Sequence, residues 1–162
     1  MSRIGFVSFV FALGILPIAA AQSTDDYELV KLVGDRQGLM FDMQTAYLSL
    51  LSVKQGSNSD LASAADNART ISEKMGMFVE LLLPDTAAGQ VSNSRAKPEI
   101  WTEPEEFAAA VDALVSATTL LSKTALGGDI AAFNEQFDVV ATACGGCHGL
   151  RPSSEGPFRT AN

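Results

Sequence analysis

Both cysteines and the only histidine of this chain fall within five residues, Cys144-Gly145-Gly146-Cys147-His148. Two thiols three residues apart, followed at once by an imidazole, match the C-x-x-C-H pattern for covalent haem attachment. The thiols add across the haem vinyl groups as thioethers, and the imidazole nitrogen reaches the iron. The same residues also admit a thiol-disulfide oxidoreductase pair, a partial zinc site or a plain disulfide. A thioredoxin-like pair belongs beside βαβ strands, and two cysteines with one histidine leave zinc without an evident fourth ligand. The expected cofactor is therefore a single haem c, with Cys144 and Cys147 as its covalent anchors and His148 as an axial iron ligand.

Residues 144, 147 and 148 share one face only if they lie on a helix, so a helical scaffold has to position them. From Tyr27 to Gln55, core-type residues recur at helical spacing through Leu29, Val33, Met40, Met43, Tyr47 and Leu50, predicting a long first helix. Gly56-Ser57-Asn58-Ser59 ends it, and Asp60 is placed to cap a second helix that runs toward Pro84. Residues 84–103 read as a loop containing Lys97-Pro98-Glu99-Ile100-Trp101, with Thr102 as the expected N-cap of a third helix. That helix stops at Gly127-Gly128, and Asp129 caps a fourth that carries the cysteines and ends near His148. Four amphipathic helices without alternating strand patterns predict an all-α, antiparallel four-helix bundle with haem near the C-terminus of the last helix. The tail, 149–162, reads as irregular and partly mobile.

The first residues combine Arg3, an apolar run from Ile4 to Ile18 and the small residues Ala19-Ala20-Ala21. They predict a signal peptide over 1–21, export to the periplasm, and a single domain over 22–162. The run is too short to span a bilayer and is interrupted by Gly14 and Pro17. Net charge is -8, from 11 basic and 19 acidic side chains; loss of Arg3 leaves 10 against 19, or -9. That balance argues against nucleic acid and anionic lipid, and suits redox partner proteins with a basic docking surface.

With these residues in view, the chain resembles the class II c-type cytochromes, the cytochrome c′ superfamily. The resemblance rests on the attachment motif near the C-terminus, on Arg36-Gln37-Gly38-Leu39-Met40 in the first helix, and on Pro98-Glu99-Ile100-Trp101 before the third. It implies a distal position at Met40, four residues after Arg36. One branch of the superfamily places methionine there and is low-spin; members like cytochrome c′ proper leave the iron five-coordinate and bind nitric oxide or carbon monoxide. Met40 also lies on the inward stripe of Leu29, Val33, Arg36, Met43 and Tyr47, so it either ligates iron or fills space. Met43, one turn away, is the substitute, and the single histidine excludes bis-histidine ligation.

Arg36 and Gln37 are expected haem contacts: the guanidinium either pairs with a propionate or snorkels to solvent. Trp101 either covers a haem edge or anchors its loop on the core. An aromatic-Arg pair common after the motif is replaced here by Gly149-Leu150-Arg151-Pro152, which leaves the role of Arg151 open. The expected function is one-electron transfer without substrate chemistry, in a monomer or a homodimer; gas binding by a five-coordinate haem is the alternative, and thiol-disulfide exchange the third.

Overall fold

Asp60 and Asp129 begin helices as their types predict. In a computed structural model of the chain, Asp60 accepts from the Ser63 amide at 2.9 Å, and Asp129 from the Ala131 and Ala132 amides at 2.9 and 3.2 Å. These bonds satisfy amide groups that a helix start otherwise leaves unpaired. The structure describes residues 22–83, 86–149 and 155–161. The predicted signal peptide, Pro84 and Arg151 lie outside the described residues.

The helices are α1 (Gln22–Lys54), α2 (Leu61–Glu80), α3 (Glu99–Thr102), α4 (Pro104–Leu126) and α5 (Ile130–His148). Among the described residues there is no strand, only two isolated bridges, Ala88 with Val91 and Ala96 with Arg159. The four long helices form a bundle in which α1 packs on α2, α2 on α4 and α4 on α5, while α5 meets α1 along a much shorter seam. Among the described residues no helix is long and apolar enough to cross a membrane.

One apolar face from each long helix builds the main core: Met43, Ala46, Leu50 and Val53 from α1, Ala68, Ile71 and Met75 from α2, Leu114 and Leu121 from α4, and Phe133, Phe137 and Val140 from α5. The alanines of α2 let its backbone approach α1 and α4 closely. Buried Thr118 keeps its hydroxyl satisfied, donating to Leu114 O at 2.8 Å and sharing a hydrogen bond with Ser72 Oγ at 2.6 Å.

Two local expectations are corrected. Residues 97–101 are not wholly loop: Pro98 stands at the N-cap of the one-turn α3. Thr102 is the last residue of α3 rather than the cap of the next helix. Its hydroxyl donates to Pro98 O at 3.4 Å, and Glu103, without a side-chain capping bond, precedes Pro104 at the start of α4. Proline at N1 has the helical φ already set and lacks an amide that would go unpaired, so the helix starts there without a side-chain cap.

Candidate functional site

The last turn of α5 presents Cys144, Cys147 and His148 together, all partly buried, and neither thiol is in a disulfide. Cys144 packs on the main core and Cys147 on a second, smaller cluster of Ile100, Phe107 and Phe158. Burial pushes the Cys144 thiol above its ordinary value; burial and the neighbouring Cys144 push Cys147 up to about 11. Thiol-disulfide exchange needs a readily formed thiolate, usually at a depressed pKa, so this environment runs against oxidoreductase chemistry. Burial, with a smaller contribution from the Arg159 guanidinium, pulls the His148 imidazole below its ordinary value. The neutral ring so favoured is the form that binds a metal.

Across the seam, contacts between α1 and α5 fix a register. The Tyr47 and Phe137 rings lie 5.1 Å apart, and Lys54 donates to Asn134 O at 3.3 Å and pairs with Asp138. From the Tyr47–Phe137 pair, two turns back along α1 reach Met40 and two turns forward along α5 reach Cys144. Met40 is partly buried and packs on the same cluster as Cys144. Met43 is buried in the core proper, 7% exposed, and Met77 is exposed.

Arg36 is 4% exposed and does not snorkel to solvent, which corrects one of its two readings. Its guanidinium donates to Thr86 Oγ1 at 2.8 Å, Thr86 O at 3.2 Å and Ser94 Oγ at 3.4 Å. Gln37, exposed, donates to Asn93 O at 2.8 Å. The paired residues thus clasp the 86–94 loop onto α1 about one turn before Met40. Trp101 packs on the second cluster with Cys147 and donates its indole N–H to Leu82 O at 3.4 Å, anchoring α3 on the end of α2.

Sequence reasoning missed the return of the tail. After Gly149, whose φ of 79° ends α5, residues 155–161 come back against the motif. The Phe158 amide donates to Cys147 O at 3.3 Å, and its ring meets Phe107 edge-on with centroids 5.2 Å apart. The segment lacks helix or strand, yet it is held in place where mobility was expected. The signal for this was Phe158 itself, the one aromatic side chain in the tail.

Two thiols and an imidazole shifted toward its neutral form, on one turn among apolar surroundings, fit a covalently attached haem and define a c-type haem protein in a four-helix bundle. Comparison with known proteins carries this to a family. The sequence family described as cytochrome C′ matches residues 31–149, and the chain belongs to it. Its cofactor is the covalently attached haem c of that family. Cytochrome c-554 of Cereibacter sphaeroides is 27% identical over 150 residues, which cover 91% of this chain and 95% of that protein. Among solved structures, cytochrome c′ from Rhodobacter sphaeroides superposes with a TM-score of 0.72 at 23% identity, covering 83% of this chain and 98% of that one. A ferrous cytochrome c′ variant from Alcaligenes xylosoxidans with bound nitric oxide gives 0.67 at 22% identity, covering 81% and 94%.

Proposed function

We propose that this cytochrome c′-family protein is a one-electron carrier whose haem is bonded to Cys144 and Cys147 and coordinated by His148 and Met40. The single observation that supports it most is the register of the α1–α5 seam, which brings Met40 level with Cys144, one turn before His148. When bound, the haem supplies the ferric–ferrous couple. The chain does the rest. Burial shifts His148 toward its neutral form, the clasp from Arg36 to Thr86 holds the loop about one turn before Met40, and Trp101, with the apolar cluster around Cys147, shields the attachment turn from water. In this reading Arg36, Gln37 and Trp101 flank the haem, through the loop and helix ends they fasten. Methionine opposite histidine raises the reduction potential, as a carrier requires.

The protein acts in the periplasm after loss of residues 1–21, and its acidic surface meets a basic redox partner. A five-coordinate haem that binds gases is the second reading; solved relatives are recorded with nitric oxide and carbon monoxide bound. Substitution Met40→Ala decides between them. With Met40 as ligand, the variant turns from low-spin to high-spin, its potential falls and ferrous carbon monoxide binding accelerates. If Met40 only fills space, the variant loses stability and its spectrum stays that of the parent.

A further inference from the structure

The α5 helix ends with carbonyls that have no partner within the helix, and the one next to His148 is taken up by the returning tail. Cys147 O accepts the Phe158 amide. Phe158 is 6% exposed and joins Ile100 and Phe107 in the cluster on which Cys147 packs. Gly156 is buried so closely under the motif that a Cβ there would fall inside 3.0 Å of Cys147 O, His148 C and Gly149 N, all of them backbone atoms. The far side of the segment is fastened to the residues before α3. Lys97 N donates to Phe158 O at 3.1 Å, Thr160 N to Arg95 O at 3.0 Å, and Lys97 Nζ pairs with Glu155 at 3.0 Å. One short segment therefore bridges the 95–97 stretch and the last turn of α5.

We infer that residues 155–161 are a strap that positions the iron ligand: Gly156 and Phe158 hold the backbone of Cys147 and His148 so that the imidazole keeps its direction toward the haem. The inference rests on the proposed attachment at Cys144 and Cys147 and ligation by His148. Gly156 and Phe158 act through His148 and are positioning residues, not ligands. Outer contacts of this kind typically change the strength of a ligand–metal bond by about 10–100-fold when removed. A glycine is required at 156 by the closeness of the backbone, since backbone atoms, unlike a flexible side-chain tip, cannot yield to a methyl group.

The test uses the full chain matured with haem, as parent, Phe158→Ala, Phe158→Leu and Gly156→Ala. Acid-acetone extraction comes first: colour that leaves the parent polypeptide overturns the attachment reading, and the strap with it. Nitric oxide is then added to the ferrous proteins, and the rate at which the haem loses its histidine bond is read from the Soret band and electron paramagnetic resonance. Phe158→Ala and Gly156→Ala should keep covalent haem yet lose the histidine bond about 10–100-fold faster. Phe158→Leu, which keeps a bulky apolar side chain in the cluster, should stay near the parent. Leu121→Ala, in α4 and fully buried in the main core, supplies a loss of stability that does not act on the motif. Parent-like rates in Phe158→Ala, or equal acceleration in Leu121→Ala, overturn the strap. If Phe158→Ala does not mature, Gly156→Ala is set against Leu121→Ala instead: faster loss in Gly156→Ala alone supports the strap, and equal rates in the two overturn it.

Discussion

Replacing Arg36 with methionine, which keeps most of its length and removes its charge, should loosen the 86–94 loop without dismantling the bundle. The guanidinium makes two bonds of ordinary length, to Thr86 Oγ1 and Thr86 O, and a longer one to Ser94 Oγ. Hydrogen bonds from a charged group contribute about 1.5–3 kcal/mol each, and the long one adds little. Two effects offset part of the loss. Thr86 O keeps the bond it accepts from Ser94 Oγ, and the Thr86 hydroxyl, though it loses an accepted bond, still donates to Leu83 O at 2.6 Å, so neither oxygen is left without a hydrogen bond. A buried cation also carries a desolvation cost that methionine lacks. The net expectation is about 1–3 kcal/mol, felt chiefly as opening of the loop. Hydrogen exchange at the Ala88 and Val91 amides, which bond to Ala96 O and Ala87 O, should accelerate by about 5- to 140-fold, at 1.4 kcal/mol per factor of ten. Unchanged exchange at both amides, with the unfolding free energy from urea within about 0.5 kcal/mol of the parent, would refute the clasp.

In the haem-free chain, Cys147 should make stability fall at alkaline pH. Its thiol holds its proton up to about 11 when folded, against 9.0 ordinarily, so between these values the folded state binds more protons than the unfolded. The contribution is complete below 9.0 and disappears as pH rises to 11, a loss on the order of 2–3 kcal/mol. Urea unfolding across this range should show a steeper fall in the parent than in Cys147→Ala, which retains only the contribution of the buried Cys144 thiol; equal slopes would contradict the buried Cys147 thiol. Electron transfer with the physiological partner should slow as salt rises, because acidic charges steer encounter over about 8 Å near physiological ionic strength. A rate independent of salt would argue against a basic docking surface.

The bundle was legible because its signals are local. Asp60, Asp129 and Gly127-Gly128 mark helix ends by chemistry that acts over one turn, and the spacing of Val33, Met43 and Leu50 identifies the buried face of α1. Thr102 misled for the same reason: a good capping residue sat one place before the Glu103-Pro104 start, and the turn of α3 absorbed it. The attachment motif was equally plain, since covalent haem chemistry demands fixed residue types at fixed spacing. Long-range pairing was hidden. Nothing in the order of residues says that Arg36 turns to Thr86, fifty positions away, or that Phe158 returns to Cys147. Such contacts depend on where two helices bring distant loops, and periodicity carries no record of them.

The ferric absorption spectrum of the haem-loaded parent protein tests the central claim most directly. Coordination by His148 and Met40 predicts a low-spin Soret and visible spectrum with a weak sulfur-to-iron charge-transfer band in the far red, a band that Met40→Ala removes and Met43→Ala retains. A high-spin ferric spectrum without that band, in the parent protein at neutral pH, would contradict methionine ligation and leave the five-coordinate gas-binding reading in its place.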